Sequence, residues 1–331
     1  MKPELKLTDL DEKIWRNELA DFVPDTVFDA HTHIWSNAHE GRNTQHDSPL
    51  RWEISLRDLD EWSRAIWPGR KLGYVPLPTP LRDIDFDGHN DWVIDQIKNH
   101  AVGIPLPVVP TMLVTPAMSK EEVETRVKRD GVRVLKPYRV FANDPRNGAI
   151  TDFFPERFME VANDHNLTVM MHLSKETGPA DEDNLHDLKR FTTLYPGMTW
   201  ILAHCARAFN SAHLEHSVHR LATMENVFVD TSAVNDTYSH YLLLKHFDRK
   251  KILFGSDNVA AGLARTKYIT FGYGWEAYTP KEALEHCDSR CTFVVYEQLR
   301  CQKHAADMVG LTSSELEDIF SRNALRLFGK P

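Results

Sequence analysis

Cysteine is scarce in this chain: four among 331 residues, too few for a disulfide framework and in keeping with a reducing compartment. No apolar run approaches the roughly 20 residues that span a bilayer, and no apolar signal segment stands at the N-terminus, so the sequence predicts a cytoplasmic protein that does not enter a membrane. Basic charge is also short, with 39 Lys and Arg against 48 Asp and Glu and a formal net charge of −9. A nucleic-acid partner calls for a concentrated basic surface, which this balance does not support. Internal repeats, low-complexity tracts and flexible linkers are missing as well, so residues 1–331 read as a single domain. No Gly-rich phosphate loop follows the first apolar run, which removes the simplest dinucleotide-binding arrangement.

What the chain has is an ordinary globular composition, 42% hydrophobic and 26% charged, and a regular alternation. Strand-like apolar runs occur at Val27 to Ala30, Leu72 to Leu77, Leu106 to Val114, Val132 to Leu135, Leu167 to Met171, Trp200 to Ala203, Val227 to Val229 and Ile252 to Phe254. Helical patterns lie between them, among them Lys120 to Lys128, Phe158 to Ala162, Leu185 to Leu194 and Leu214 to Met224. Ser119 and Glu122 form a capping-box signature, Pro155 sits near a helix start, and Asn166, Gly197 and Asn226 mark ends. Residues 1–24 read as an N-terminal extension with a helical Leu10 to Ala20 segment. Eight strand-then-helix units suit either a closed (β/α)₈ barrel or an open doubly wound sheet.

The residues that end the strands choose between these folds. The first run closes on His31-Thr32-His33, and residues i and i+2 of a strand share a face, so two imidazoles can grip one metal ion. Other runs lead into Lys136, His172, His204 and Asp257. Apolar strands gain nothing from ending in groups that are costly to bury, so ligand-type residues after several separate runs point to a shared site. Such ends meet at one point only if the sheet closes, which predicts an α/β fold with a single (β/α)₈ TIM barrel and a metal site at the C-terminal ends of the strands.

Residues 35–71 read as a long loop after the first strand, holding Asn37, His39, Arg42, His46, Trp52, Trp62 and Trp67. It is expected to form a lid or substrate wall, or to pack its tryptophans on the barrel. Cys287 and Cys291, at i, i+4 spacing beside His286, read as ordinary helix positions, since no second pair accompanies them.

These motifs resemble the amidohydrolase superfamily, in its amidohydrolase-related (amidohydrolase 2) branch of TIM-barrel metal-dependent hydrolases and decarboxylases. The likeness runs from the first strand to the C-terminus, over Phe28-Asp29-Ala30-His31-Thr32-His33, His172, Ala203-His204-Cys205, Val229-Asp230-Thr231-Ser232, Phe254-Gly255-Ser256-Asp257 and Asn323-Ala324-Leu325-Arg326-Leu327-Phe328. The resemblance implies one divalent ion, zinc ahead of manganese, held by His31, His33, His172 and Asp257 with His204 beside it. The residues after Asp257, Asn258-Val259-Ala260-Ala261-Gly262, lack the Tyr-Pro or Trp-Pro of the branch's decarboxylases. Some lactonases of the superfamily keep the histidines and work without metal.

An ion so held lowers the pKa of water to about 7 and polarises a carbonyl. Asp257 then collects the water proton and His204 hydrogen-bonds the water or the oxyanion, which makes these two the candidate catalytic residues. Lys136 has three readings: binding a substrate carboxylate, carbamylation to bridge two metals, or reaching to the rim. Arg139 and Arg207 at neighbouring strand mouths suit bidentate capture of a carboxylate. The sequence therefore predicts a metal-dependent hydrolase of a lactone, ester or amide in a small anionic substrate, with homodimers common for this architecture. The alternatives are a decarboxylase or hydratase on an unsaturated or aromatic acid, and a metal-free lactonase or inactive binding relative.

Overall fold

A computed structural model of the chain describes residues 5–39, 53–78, 83–259 and 261–329. Eight parallel strands follow in chain order: β1 (Thr26–His33), β2 (Lys71–Leu77), β3 (Thr111–Val114), β4 (Val134–Pro137), β5 (Thr168–Met171), β6 (Thr199–Leu202), β7 (Val227–Asp230) and β8 (Ile252–Leu253). Strands β3 to β8 pair in sequence order, and β1 pairs with β2. Backbone hydrogen bonds cross both remaining seams. Ala30 donates to Phe254 at 2.9 Å and Asp257 to His31 at 2.8 Å on one side, while Val109 donates to Tyr74 at 2.9 Å and Leu106 to Leu72 at 3.1 Å on the other. The result is the (β/α)₈ barrel that the strand endings predict, with helices packed outside the ring.

Two layers of apolar side chains explain why these runs are strands. Phe28, Ala30, Val75, Leu77, Val134, Met170, Ile201 and Leu253 fill the inside of the ring. Their neighbours, including Val27, Leu72, Leu135, Val169, Met171, Trp200 and Ile252, face outward against the helices. Strands buried on both faces read as continuous apolar runs, which is what the sequence shows. At the bottom, the helix Asn323–Phe328 plugs the ring, with Phe328 stacked on Phe28 at 6.1 Å.

Asn323 fastens that plug to β8, its Nδ2 donating to Arg249 O and Ile252 O, both at 2.7 Å. Asn323→Ala leaves both carbonyls short of a donor, so a loss of about 2 kcal/mol is expected, read as a lower urea midpoint with an unchanged m-value.

The structure departs from the sequence reading in four places. Part of the segment from 35 to 71 is helix rather than loop: Leu56–Ile66 is entered through a Ser55/Asp58 capping box, and Trp62 and Trp67 pack into the core, as the second reading of this segment expects. Residues 40–52, with Arg42, His46 and Trp52, lie outside the described residues. The helix expected over Leu214 to Met224 breaks into Ser211–Glu215 and Val218–Leu221, because the Ser217 hydroxyl bonds back to the carbonyls of His213 and Leu214. Cys287 and Cys291 are not on a helix. The Asp288 carboxylate takes the Arg290 backbone and side-chain N–H groups into a local turn, and the next helix starts at Val294. Finally, an antiparallel hairpin of β9 (Lys267–Phe271) and β10 (Gly274–Tyr278) stands between β8 and that helix.

The N-terminal segment folds onto the barrel as Asp9–Ile14 continued by a wider turn over Trp15–Leu19, and Trp15 packs on Trp67 and Tyr296. Among the described residues no helix is long and apolar enough to cross a membrane.

Candidate active site at the strand mouths

Parity places most of the site. Inward Val134 is followed two residues later by Lys136, Met170 by His172, and Leu253 by Gly255 and then Asp257. Strand β1 needs a correction to reach the same end. Its register against β2 shifts between Asp29 and Thr32, so a strand that buries Phe28 and Ala30 inside the ring still delivers His31 and His33 to the mouth. Gly255 is fixed by close approach, since a Cβ there would stand 2.8 Å from the Cβ of His31.

His204 has the wrong parity, because inward Ile201 and Ala203 would send it outward. The chain re-aims it with a left-handed turn, in which His204, Cys205, Ala206 and Arg207 have φ of 61°, 51°, 60° and 68°. Such backbone costs roughly 1–2 kcal/mol per non-glycine residue. The turn is held by His204 N donating to Asp230 Oδ1 at 3.0 Å and by Arg207 Nη1 on the carbonyls of Ser174 and Lys175. Cys205, buried, sits 3.9 Å from His240 Nδ1.

Three side chains converge closely. Asp257 Oδ1 is 2.9 Å from His33 Nε2 and 3.5 Å from His31 Nε2. The outer ring nitrogens are engaged elsewhere: His31 Nδ1 donates to Asp230 Oδ2 at 2.9 Å, and His33 Nδ1 lies 3.4 Å from the Tyr138 hydroxyl, which itself donates to Pro78 O at 2.6 Å. Both Nε2 atoms are thereby left for a shared cation. Ligand atoms of His31, His33 and Asp257 lie within 4.8 Å of one another, as do those of His31, His204 and Asp230. His172 joins neither group. Its ring lies 5.1 Å from that of His204, which in turn is 4.9 Å from His31, and its Nδ1 is turned to Leu173 O at 3.0 Å.

Asp230 and Ser232 stand in one of the motifs that carry the resemblance, and their role is visible only in the fold. Asp230 Oδ1 accepts from Ser232 N at 3.0 Å and from the Ser232 hydroxyl at 2.5 Å in addition to His204 N, while His204 Nδ1 donates to Ser232 O at 3.1 Å. One carboxylate thus orients both His31 and His204, as in carboxylate–histidine–metal arrangements.

The protonation states suit a cation. Burial pushes carboxyl pKa values up, yet at Asp257 the His33 hydrogen bond and the surrounding imidazoles win, and at Asp230 the charge and hydrogen bond of His31 do so; both are held well below the usual carboxylate range. Burial lowers His204 to about 4 and His172 well below its usual value, the latter aided by His204, Arg207, Arg139 and Lys136. Neutral imidazoles beside ionised carboxylates are what metal binding requires.

The other side of the site is cationic. Lys136 is 1% exposed, so it does not reach to the rim. Burial lowers it to about 8 against the pull of Asp230 and Asp257, and its Nζ lies 4.9 Å over the Tyr138 ring. Arg139 is tied by Nη1 to Pro145 O at 2.9 Å. Burial, and then Arg139, lower Arg207 to about 10. Each guanidinium is thus anchored through Nη1, and among the described residues its Nη2 has no partner.

An aromatic wall, which the sequence reading does not predict, flanks His204. Phe209 lies 5.4 Å from His204 and stacks on Trp275 at 4.3 Å, with Tyr268 edge-on to both. The signal for it was present as aromatic runs flanking Gly272-Tyr273-Gly274, a hairpin pattern.

A family model described as amidohydrolase matches residues 28–330. No curated protein sequence matches the chain. Among solved structures, the chain is similar to an amidohydrolase from Burkholderia multivorans with bound zinc, at 14% identity and TM-score 0.59 over 92% of this chain and all of that one. A probable 2-pyrone-4,6-dicarboxylic acid hydrolase from Acinetobacter baumannii with citric acid bound matches at 13% identity and TM-score 0.58, covering 92% of this chain and 99% of that chain. A 2,6-dihydroxybenzoate decarboxylase complexed with 2,6-dihydroxybenzoate matches at 11% identity and TM-score 0.56, covering 93% and 99%.

Proposed function

The chain belongs to the amidohydrolase family, and from that premise we propose that it is a mononuclear metal-dependent hydrolase cleaving a lactone, ester or amide bond in a small carboxylated substrate. The observation that carries the reading is the convergence of His33 Nε2 and His31 Nε2 on one oxygen of Asp257, at 2.9 and 3.5 Å. His31, His33 and Asp257 would hold the ion, zinc in preference to manganese, while His172 of the resemblance's ligand set stands one ring away against His204. The bound ion acidifies water and polarises the scissile carbonyl.

The residues of the chain do the rest. Asp257 is ionised and takes the proton released from water, then returns it to the leaving group. His204 carries its own proton on Nδ1 toward Ser232 O, so its Nε2 faces the site as an acceptor and orients the water. The residues after Asp257, Asn258-Val259-Ala260-Ala261-Gly262, lack the Tyr-Pro or Trp-Pro of the branch's decarboxylases, which favours hydrolysis over decarboxylation. Lys136, Arg139 and Arg207 bind the substrate carboxylate. Arg139→Met is expected to raise KM about 10-fold or more with a smaller change in kcat, since it removes binding shared by ground and transition states.

The test is a screen of zinc-loaded protein against lactones and esters with a pH indicator, beside CO₂ release from aromatic and unsaturated acids and hydration of the same unsaturated acids followed by absorbance. Acid production from a carboxylated lactone or ester supports the reading. Release of CO₂ or loss of a conjugated double bond, without ester or lactone cleavage, would replace it with the decarboxylase or hydratase.

A further inference from the structure

The β9–β10 hairpin is tethered over the site. Pairing of Tyr268 with Ala277 and of Thr270 with Trp275 puts these four residues on one face. That face carries Tyr268 and Trp275 to Phe209, and Phe209 continues the row of rings to His204. Asn210 Nδ2 donates to Gly272 O and Gly274 O at the hairpin turn, both at 2.9 Å, and Tyr268 N donates to Asn235 Oδ1 at 2.9 Å. Side chains from the segments after β6 and β7 therefore fix both the tip of the hairpin and the backbone of Tyr268.

The Tyr268 hydroxyl has no hydrogen-bond partner among the described residues. A phenol keeps its proton at neutral pH, so this hydroxyl is a donor. Tyr138, the phenol beside His33, is already committed to Pro78 O.

The geometry points to Tyr268 as a substrate-binding residue, its hydroxyl donating to an oxygen of an anion bound on the His204 side of the site, with the stacked Phe209 and Trp275 as the wall against the anion's body. This rests on the carboxylate-site reading above. A phenol donor placed there fixes which end of the anion faces His204, while Arg139, Arg207 and Lys136 hold a carboxylate on the side of His172.

The experiment uses zinc-loaded wild type and Tyr268→Phe, titrated by calorimetry and thermal shift with benzoate, isophthalate and citrate. At least one probe should stabilise the wild type, and its Kd should rise about 10-fold in Tyr268→Phe, the size expected for loss of one hydrogen bond to a charged group. Zinc content and the Tm without probe should match the wild type, because the ring remains. Equal Kd values overturn the inference alone. Lower zinc content or a lower Tm without probe in Tyr268→Phe would assign the hydroxyl to structure and also overturn it. Failure of every probe to bind the wild type would overturn the carboxylate-site reading, and this inference with it.

Discussion

Asp257→Asn is expected to lower turnover by about 10³-fold or more and to empty the metal site, while the barrel stays folded. The substitution keeps shape and removes only charge. Asp257 Oδ1 is the atom on which His33 Nε2 and His31 Nε2 converge, so a neutral amide leaves a cation with imidazoles and no anionic ligand. It also removes the base that receives the water proton. The two losses fall on one residue, which is why this variant should be the most damaging single change in the site. Activity and metal content on the same preparation, with circular dichroism to check folding, decide the matter. Retained metal together with retained turnover would show that the convergence at Asp257 is not the working site.

Asp230→Asn should be the next largest, with metal affinity falling about 10–100-fold although Asp230 touches no metal. Its Oδ1 accepts from His204 N, Ser232 N and the Ser232 hydroxyl, so the amide oxygen of an Asn must take that side. The NH₂ group then faces His31 Nδ1, which can only accept. The His31 proton is driven to Nε2, into the space where the ion binds, and the wrong tautomer blocks ligation. Competition with a chelator reads the affinity directly. Wild-type affinity in Asp230→Asn would mean that His31 needs no orienting partner.

How much of this the chain shows in advance depends on the kind of residue. The eight barrel strands are legible because both faces of each are buried, and the result is an uninterrupted apolar run with a polar end. His31, His33, Lys136, His172, His204 and Asp257 are legible for the same reason, as costly groups placed where packing has no use for them. What joins them is less visible. The bulge in β1 and the left-handed turn after Ala203 re-aim imidazoles by local backbone geometry, without glycine to signal the positive φ at His204, Cys205, Ala206 and Arg207. Asp230 ends a strand as the others do, yet only the fold reveals that it lies against His31 rather than beside a cation of its own. The hairpin with Tyr268 and Trp275 has the composition of a hairpin, and its outer face is exposed at Ile269 and Phe271, so no alternation of apolar and polar residues marks its inner side. His172 is a reminder that a ligand-type residue at the right strand end can still stand one ring away from the cluster, against His204 rather than Asp257.

The central claim is that one divalent ion sits among His31, His33 and Asp257, and its stoichiometry tests that most directly. Plasma mass spectrometry on protein purified without a histidine tag or chelator should find about one equivalent of zinc or manganese per chain. No metal, even after reconstitution with either ion, would contradict the account, and two equivalents would replace the mononuclear site with one bridged by a carbamylated Lys136.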